Sequence, residues 1–201
     1  MTTLLQINAS ISHAKGQSSQ LANQFVSAYV QRHHGTRVIV REVASGEAVP
    51  HLNGERFGAF LASPEQRTAA QHAVIAYSDA LIGELKEADV IVIGLPMYNF
   101  GVPSQLKAYF DHIARAGVTF KYTASGPVGL LTGKRVYVFA ARGGLYAGTP
   151  LDTQTRYVRD FLAFLGMTDV EFVYAEGLAV SPDSREAGLA KAAAEIARLA
   201  A

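Results

Sequence analysis

Three short segments carry residue types from which a binding site could be built. The first reads Ser10-Ile11-Ser12-His13-Ala14-Lys15-Gly16-Gln17-Ser18, with hydroxyls at Ser10, Ser12, Ser18 and Ser19, two basic side chains and no carboxylate. A helix starting inside it would turn unpaired N–H groups and the positive end of its dipole toward an anion, and a dianionic phosphate suits them. An alternative for Ser18 alone is a plain helix N-cap, which needs no ligand. The second segment, Pro96-Met97-Tyr98-Asn99-Phe100-Gly101-Val102-Pro103, is a turn by its Pro, Asn and Gly content. Its thioether and aromatic groups would cover a flat apolar ring while the Asn99 amide and the backbone bond to the ring's edge. They could also pack on the turn's own core. The third, Ala141-Arg142-Gly143-Gly144-Leu145-Tyr146-Ala147-Gly148, puts two glycines directly after an apolar run. There the backbone could come close enough for its N–H groups to bond a developing negative charge, although Gly-Gly also suits a bare strand-to-helix turn.

The neighbouring elements decide whether these segments meet. Residues 4–8 read as a first strand, followed by a helix with Leu21, Phe25, Ala28 and Tyr29 on one face. Residues 38–43 read as a second strand. The stretch 44–65, with Gly46, Pro50, Asn53, Gly54 and Pro64, is long for a connection and reads as a lid or a subunit contact. A helix is expected over 65–88, then a strand over 90–95 that is apolar without alternation, as a strand covered on both faces should be. A helix from Ser104, a glycine-rich loop over 117–133 and a strand over 136–140 follow. The chain then runs through a helix bearing Tyr157, Phe161 and Leu165, a strand over 170–174 and an Ala-rich helix from Ser184.

Strands alternating with helices imply an α/β fold with a parallel sheet between two helical layers, a three-layer sandwich. Five strands favour the flavodoxin-like order 2-1-3-4-5 over the Rossmann order. In it strands 1, 3 and 4 are neighbours, and ligands bind beyond their carboxyl ends, where the three segments lie. Reduced flavin is one ring that carries negative charge at its edge, near N1 and O2.

Composition narrows the partners. The 201 residues suit one domain, 1–201, with a net charge of +1 and no run of Lys or Arg. Neither a nucleic acid nor an anionic membrane surface is expected as a partner. The absence of cysteine excludes disulfides, iron–sulfur ligation and thiolate catalysis. No apolar run approaches the ~18 residues of a membrane span, and the N-terminus lacks the pattern of a signal peptide, so a cytoplasmic location is expected. There is no G-x-G-x-x-G and no G-x-S-x-G. The first strand ends in Asn8-Ala9-Ser10 rather than in the acidic residues of a magnesium-dependent receiver. The six histidines show no metal spacing, so no metal is expected.

The chain resembles the FMN-dependent NADH-azoreductase family over essentially its whole length. The motifs are Pro96-Met97-Tyr98-Asn99-Phe100 with Gln105-Leu106-Lys107-Ala108-Tyr109-Phe110-Asp111; Ala116-Gly117-Val118-Thr119-Phe120-Lys121-Tyr122-Thr123 with Gly126-Pro127 and Gly129-Leu130; Ala141-Arg142-Gly143-Gly144; and Phe164-Leu165-Gly166 with Asp169. The resemblance implies a homodimer with its active site at the interface and non-covalent FMN. Ser10, Gly16, Gln17 and Ser18 would hold the phosphate and ribityl end. Pro96, Met97, Tyr98, Asn99 and Phe100 would flank the ring, and Ala141, Arg142, Gly143 and Gly144 would line its pyrimidine side. The family often has Ser where this chain has Ala141, and His where it has Tyr146; Tyr146 can donate a hydrogen bond but cannot become cationic near neutral pH.

The activity implied is ping-pong transfer from NADH or NADPH to azo dyes and quinones, with no side chain assigned as an essential acid or base. Phe120, Tyr122 and Tyr146 are the expected substrate contacts; for Phe120 and Tyr122 the role is an aromatic wall donated from the second subunit, with ordinary dimer packing the alternative for Phe120. Two other readings stand beside this one: a flavodoxin-type electron carrier without a substrate of its own, and a flavin-free regulatory protein of the same fold.

Overall fold

Every residue of Val90–Pro96 is buried, and a buried backbone must pair on both sides. In the computed structural model, which describes residues 1–44 and 49–200, this run is strand β3 at the middle of a five-stranded parallel sheet. Around it lie β1 (Thr3–Asn8), β2 (Arg37–Glu42), β6 (Arg135–Ala141) and β7 (Asp169–Ala175), in the order β2-β1-β3-β6-β7. The fourth and fifth strands of the sheet are numbered β6 and β7 because a separate antiparallel hairpin, β4 (Phe120–Thr123) and β5 (Gly126–Gly129), intervenes. The expected order 2-1-3-4-5 holds once that hairpin is set aside. Asn8 pairs in register with Gly94, and Pro96 with Ala141, so the three segments leave β1, β3 and β6 at one edge.

Alternate strand residues feed two cores. Leu5, Ile7, Ile91, Ile93, Val136 and Val138 pack with Leu81, Leu85, Leu106, Phe110 and Val158 from helices α3 (Ala69–Glu87), α4 (Ser104–Ile113) and α5 (Thr153–Phe164). Leu4, Val90, Val92, Tyr137, Phe139 and Val173 pack with Phe25 of α1 (Gln17–Arg32) and Ile196 of α6 (Pro182–Leu199). Each fully buried side chain of this kind contributes roughly 1.5–3 kcal/mol. No helix among the described residues is long and apolar enough to cross a membrane.

Two stretches depart from the expected connections. The 44–65 stretch contains a helix, α2 (Gly54–Leu61), whose cap Asn53 accepts a hydrogen bond from the Arg56 amide at 2.9 Å. Residues 45–48, with Gly46, lie outside the described residues. The next helix starts at Ala69 rather than at residue 65. Pro64 opens only a single 3-10 turn, and Thr68 caps α3 through a reciprocal pair of bonds with Gln71. The expected loop over 117–133 holds the hairpin β4–β5, which Gly126, Pro127 and Gly129 disguise as a turn.

The hairpin is pressed onto the main body at Gly129. A Cβ there would overlap the backbone nitrogen of Gly166, and Leu131 N–H bonds to Leu165 O at 2.8 Å beside it. At the other end of the same core, His112 of α4 is fully buried between Tyr77 and Phe60. Its Nε2–H donates to Pro50 O at 2.9 Å, tying the 44–65 stretch down, while Nδ1 is buried without a partner. Burial pushes the imidazole pKa down against the pull of the Pro50 carbonyl; Arg56 adds to the fall and Asp111 opposes it.

Two outcomes are expected. Gly129→Ala forces backbone apart and should cost about 1–3 kcal/mol, read as a drop of several degrees in the thermal midpoint. Below about pH 6.5 the unfolded His112 binds a proton that the folded one refuses, so unfolding takes up a proton and stability falls as the pH is lowered. The urea midpoint should therefore decline from pH 7 to 5.5, and in His112→Gln that slope should flatten.

Candidate functional site

β1 ends in Asn8, and the chain passes Ser10 into one 3-10 turn (His13–Lys15) before α1 begins. Gly16 is the N-cap of α1, with no side-chain cap bond and no acid in the first turn. Ser18 is therefore not the cap. It lies inside the helix, and its hydroxyl and that of Ser19 are buried without partners. Among the described residues the amides of Gln17, Ser18 and Ser19 have no hydrogen-bond partner either. Free first-turn amides are common to helix N-termini; what sets this one apart is the two buried, unpartnered hydroxyls beside them. Gly16 is required because a Cβ would overlap Ser10 Oγ. Lys15 and His13 are exposed beside it.

The second segment leaves β3 at Pro96 and turns sharply. Tyr98 and Gly101 exchange both backbone bonds, at 2.9 and 3.2 Å. The two residues between them, Asn99 and Phe100, have φ of 49° and 63°. A two-residue turn with both centres left-handed favours Asn-Gly; Asn99 fits, but Phe100 occupies the glycine position, against the preference of a residue with a Cβ. Tyr98 Oη accepts from Ile11 N at 3.2 Å and lies 3.4 Å from Ser10 Oγ, joining this turn to the first segment. Met97 N–H donates to Ala141 O at 3.2 Å, joining it to the third.

In the third segment the carbonyls of Gly143 and Gly144 are taken by Ala179 N and Gly177 N, both at 2.9 Å, while their own amides have no partner among the described residues. Arg142 turns its side chain inward, with none of it exposed. It bonds Asp152 at 2.8 Å, Glu176 at 3.1 Å and Thr155 Oγ1 at 3.1 Å, and lies over the Tyr174 ring. Its amide is occupied by Ala175 O. Nη1, Nη2 and the backbone N–H of Arg142 are thus committed within the protein, while its Nε is buried without a partner. Glu176 Oε1 also accepts the amides of Tyr146 and Ala147, at 2.9 Å each, and so pins the loop. Burial alone would raise the Asp152 pKa, but the bonds from Arg142 and Thr155 hold it below the usual carboxylate range. Tyr146 folds back over Gly144, where a Cβ would lie 2.6 Å from its ring, and meets Phe100 edge-on at 5.5 Å.

Ser10, Gly16, Gln17, Ser18, Pro96, Met97, Tyr98, Ala141, Arg142 and Gly143 line one crevice of about 180 Å3 at the carboxyl edge of the sheet. Ser12 and Leu178 complete its lining. Leu178 arrives after β7, held by its N–H on Arg142 O at 3.2 Å, and nothing local in the sequence marks it. Asn99 and Phe100 are exposed, and with Gly144 they lie outside that lining. Phe120 is 7% exposed and packs on Phe164 at 4.3 Å in the chain's own core, whereas Tyr122 is 74% exposed on the hairpin. Neither lines the crevice. A larger hollow of about 530 Å3 lies between α2 and α3 beside Pro50, Arg56 and Tyr77. It shares no residue with the three segments, and the converging free donors are at the smaller crevice. Among the described residues no group of three or more His, Asp or Glu could hold a metal ion.

Residues 2–200 match the family described by its flavodoxin-like fold. An FMN-dependent NADH:quinone oxidoreductase of Burkholderia lata is 56% identical over 197 residues, which cover 98% of this chain and 99% of that protein. An azoreductase from Bacillus anthracis strain Sterne superposes with a TM-score of 0.91 at 30% identity, covering 100% of this chain and 99% of that one. An FMN-dependent NADH-azoreductase from B. anthracis strain Ames Ancestor, solved in complex with FMN, gives a TM-score of 0.87 at 28% identity with 100% of both chains covered. With three loops of matching chemistry at the carboxyl edge of a sheet of this order, the chain belongs to the flavodoxin-like family, in the branch of the FMN-dependent NADH:quinone oxidoreductases and NADH-azoreductases.

Proposed function

We propose that this three-layer sandwich is a cytoplasmic, homodimeric oxidoreductase. It binds FMN non-covalently and passes electrons from NADH or NADPH to quinones and azo compounds by a ping-pong mechanism. The observation that carries the reading is that one crevice is lined both by the first turn of α1, with its free amides and the buried Ser18 hydroxyl, and by Gly143, whose amide is also free. Two of the relatives above are named as FMN-dependent oxidoreductases and the third as an azoreductase, which favours an enzyme over an electron carrier.

The residues fit the cofactor. Ser10, Gln17 and Ser18, with Gly16 giving close approach, suit a phosphate at the positive end of the α1 dipole. Met97, Tyr98, Asn99 and Phe100 suit the ring, and the free amides of Gly143 and Gly144 suit its electron-rich edge. FMN held there would take a hydride from the nicotinamide and deliver electrons to the acceptor; binding, orientation and exclusion of water fall to the protein. No side chain in the crevice is needed as an acid or base. Tyr146, packed edge-on against Phe100, would border the acceptor's place and offer a neutral hydroxyl.

The crevice of about 180 Å3 is smaller than the ~300–1,000 Å3 of most ligand sites, which supports an outer wall supplied by a second copy. Tyr122, exposed on its hairpin, has an aromatic face to offer a partner's site. Phe120 would support it from below, at 5.5 Å between ring centres.

Titration of the purified protein with FMN should quench flavin fluorescence at about one FMN per chain; no quenching and no binding heat would remove the reading. Gly16→Ala, which drives a methyl group into Ser10, should weaken FMN binding at least about tenfold, a loss of 1.4 kcal/mol. With NADH and a benzoquinone varied together, double-reciprocal plots should give parallel lines, and intersecting lines would count against ping-pong.

A further inference from the structure

Helix α5 has no residue in the crevice, yet its first turn grips the ring-facing loop from behind. Gln154, the second residue of α5, is 1% exposed. Its Nε2 donates to Pro96 O at 2.9 Å and to Gly101 O at 2.8 Å, the two feet of the turn that carries Met97, Tyr98, Asn99 and Phe100. Both N–H bonds of the side-chain amide are thereby spent on one loop. Its Oε1 is buried with no partner. Next to it, Thr153 Oγ1 donates to Phe100 O, the carbonyl of the residue in the disfavoured left-handed conformation.

As a source of stability this arrangement is poor. Two neutral hydrogen bonds are set against a buried acceptor left without one, and an apolar side chain of the same length would fill the space with no such loss. What the amide uniquely supplies is a fixed separation between Pro96 O and Gly101 O. That separation holds the ends of a turn whose centre, Asn99 and Phe100, is conformationally strained. A residue at Phe100's position that prefers to leave φ > 0 pulls on both feet; the Tyr98–Gly101 bonds close the turn and Thr153 holds Phe100 O, while Gln154 is the side chain that bridges the two feet.

We propose that Gln154 is a positioning residue for this site. It holds the posture of residues 97–100 and so tunes how tightly the flavin is bound and how readily it accepts electrons, without touching it. The proposal rests on the FMN reading above. Its first readout does not, because the hold of Gln154 on the loop is measured in the flavin-free protein.

Two variants test it. Gln154→Met keeps length and volume but has no donor, and Gln154→Glu keeps shape but presents acceptors to two carbonyls. In flavin-free protein, hydrogen exchange at the Tyr98 and Gly101 amides should speed at least about tenfold in Gln154→Met. Amides of β3 and β6 should stay protected, and the thermal midpoint should move by only a few degrees. The FMN dissociation constant should rise about tenfold, and the midpoint potential of the bound flavin should shift from that of the parent protein. Gln154→Glu should show the same changes, larger at pH 8 than at pH 5.5, where its carboxyl can regain a proton to donate. Should Gln154→Met fail to fold, the Glu variant carries the same comparison. Unchanged exchange at Tyr98 and Gly101 in the folded variants would overturn the proposal. So would faster exchange with FMN affinity and potential unaltered, which would leave Gln154 a merely structural residue. Failure of the parent protein to bind FMN would strike instead at the reading of the crevice.

Discussion

A guanidinium with no exposed surface has to be compensated inside the protein, and the neighbourhood of the crevice is arranged around that demand. Arg142 draws Asp152 from the cap of α5 and Glu176 from the end of β7 onto one cation. Removing one partner from such a cluster costs about 3–5 kcal/mol, so the loop after β6, the start of α5 and the exit of β7 are fixed relative to each other. Glu176 then has lone pairs to spare, and it spends them on the amides of Tyr146 and Ala147. The result is a loop whose carbonyls are tied down while the amides of Gly143 and Gly144 stay open.

The same division recurs at the other end of the crevice. Ser10 Oγ accepts from Ser12 N at 3.2 Å, yet the first-turn amides of α1 are left without acceptors. Between the two ends Tyr98 and Met97 hydrogen-bond to both flanking segments, so the three loops behave as one surface. In the proposed reading, donors the fold leaves unpaired would bind the cofactor, and the bonds it does make would set their positions.

Much of this could be read before any coordinates. The unalternating run in β3 marks a strand covered on both faces, and the strand–helix alternation with five strands fixes which loops meet. The hydroxyls without acids in residues 10–18 are what propose a phosphate there, and the structure sets them at the first turn of α1. Other features have no local signature. Ser18 looks like a cap, but Gly16 takes that place because only a residue without a Cβ can pass Ser10. Arg142 sits in the right loop, and its charge suggests a ligand contact, yet only the distant Asp152 and Glu176 reveal that the side chain faces inward. The hairpin β4–β5 is hidden by its own glycines and proline, and α2 by the Gly and Pro around it. Gln154 reads as an ordinary polar residue in a helix's first turn, because its two acceptors lie more than fifty positions away.

The rims of the sheet bear on how copies of this chain can associate. β2 and β7 are its outer strands, and both are studded with charge: Arg37 and Arg41 pair with Glu87 and Glu84, while Asp169 and Glu171 pair with Arg135 and Arg198. Such rims discourage a neighbour's strand from adding alongside, which is how many proteins avoid edge-to-edge aggregation. Growth of a continuous intermolecular sheet is thereby suppressed, and any specific pairing of two chains is steered toward the helices and the hairpin.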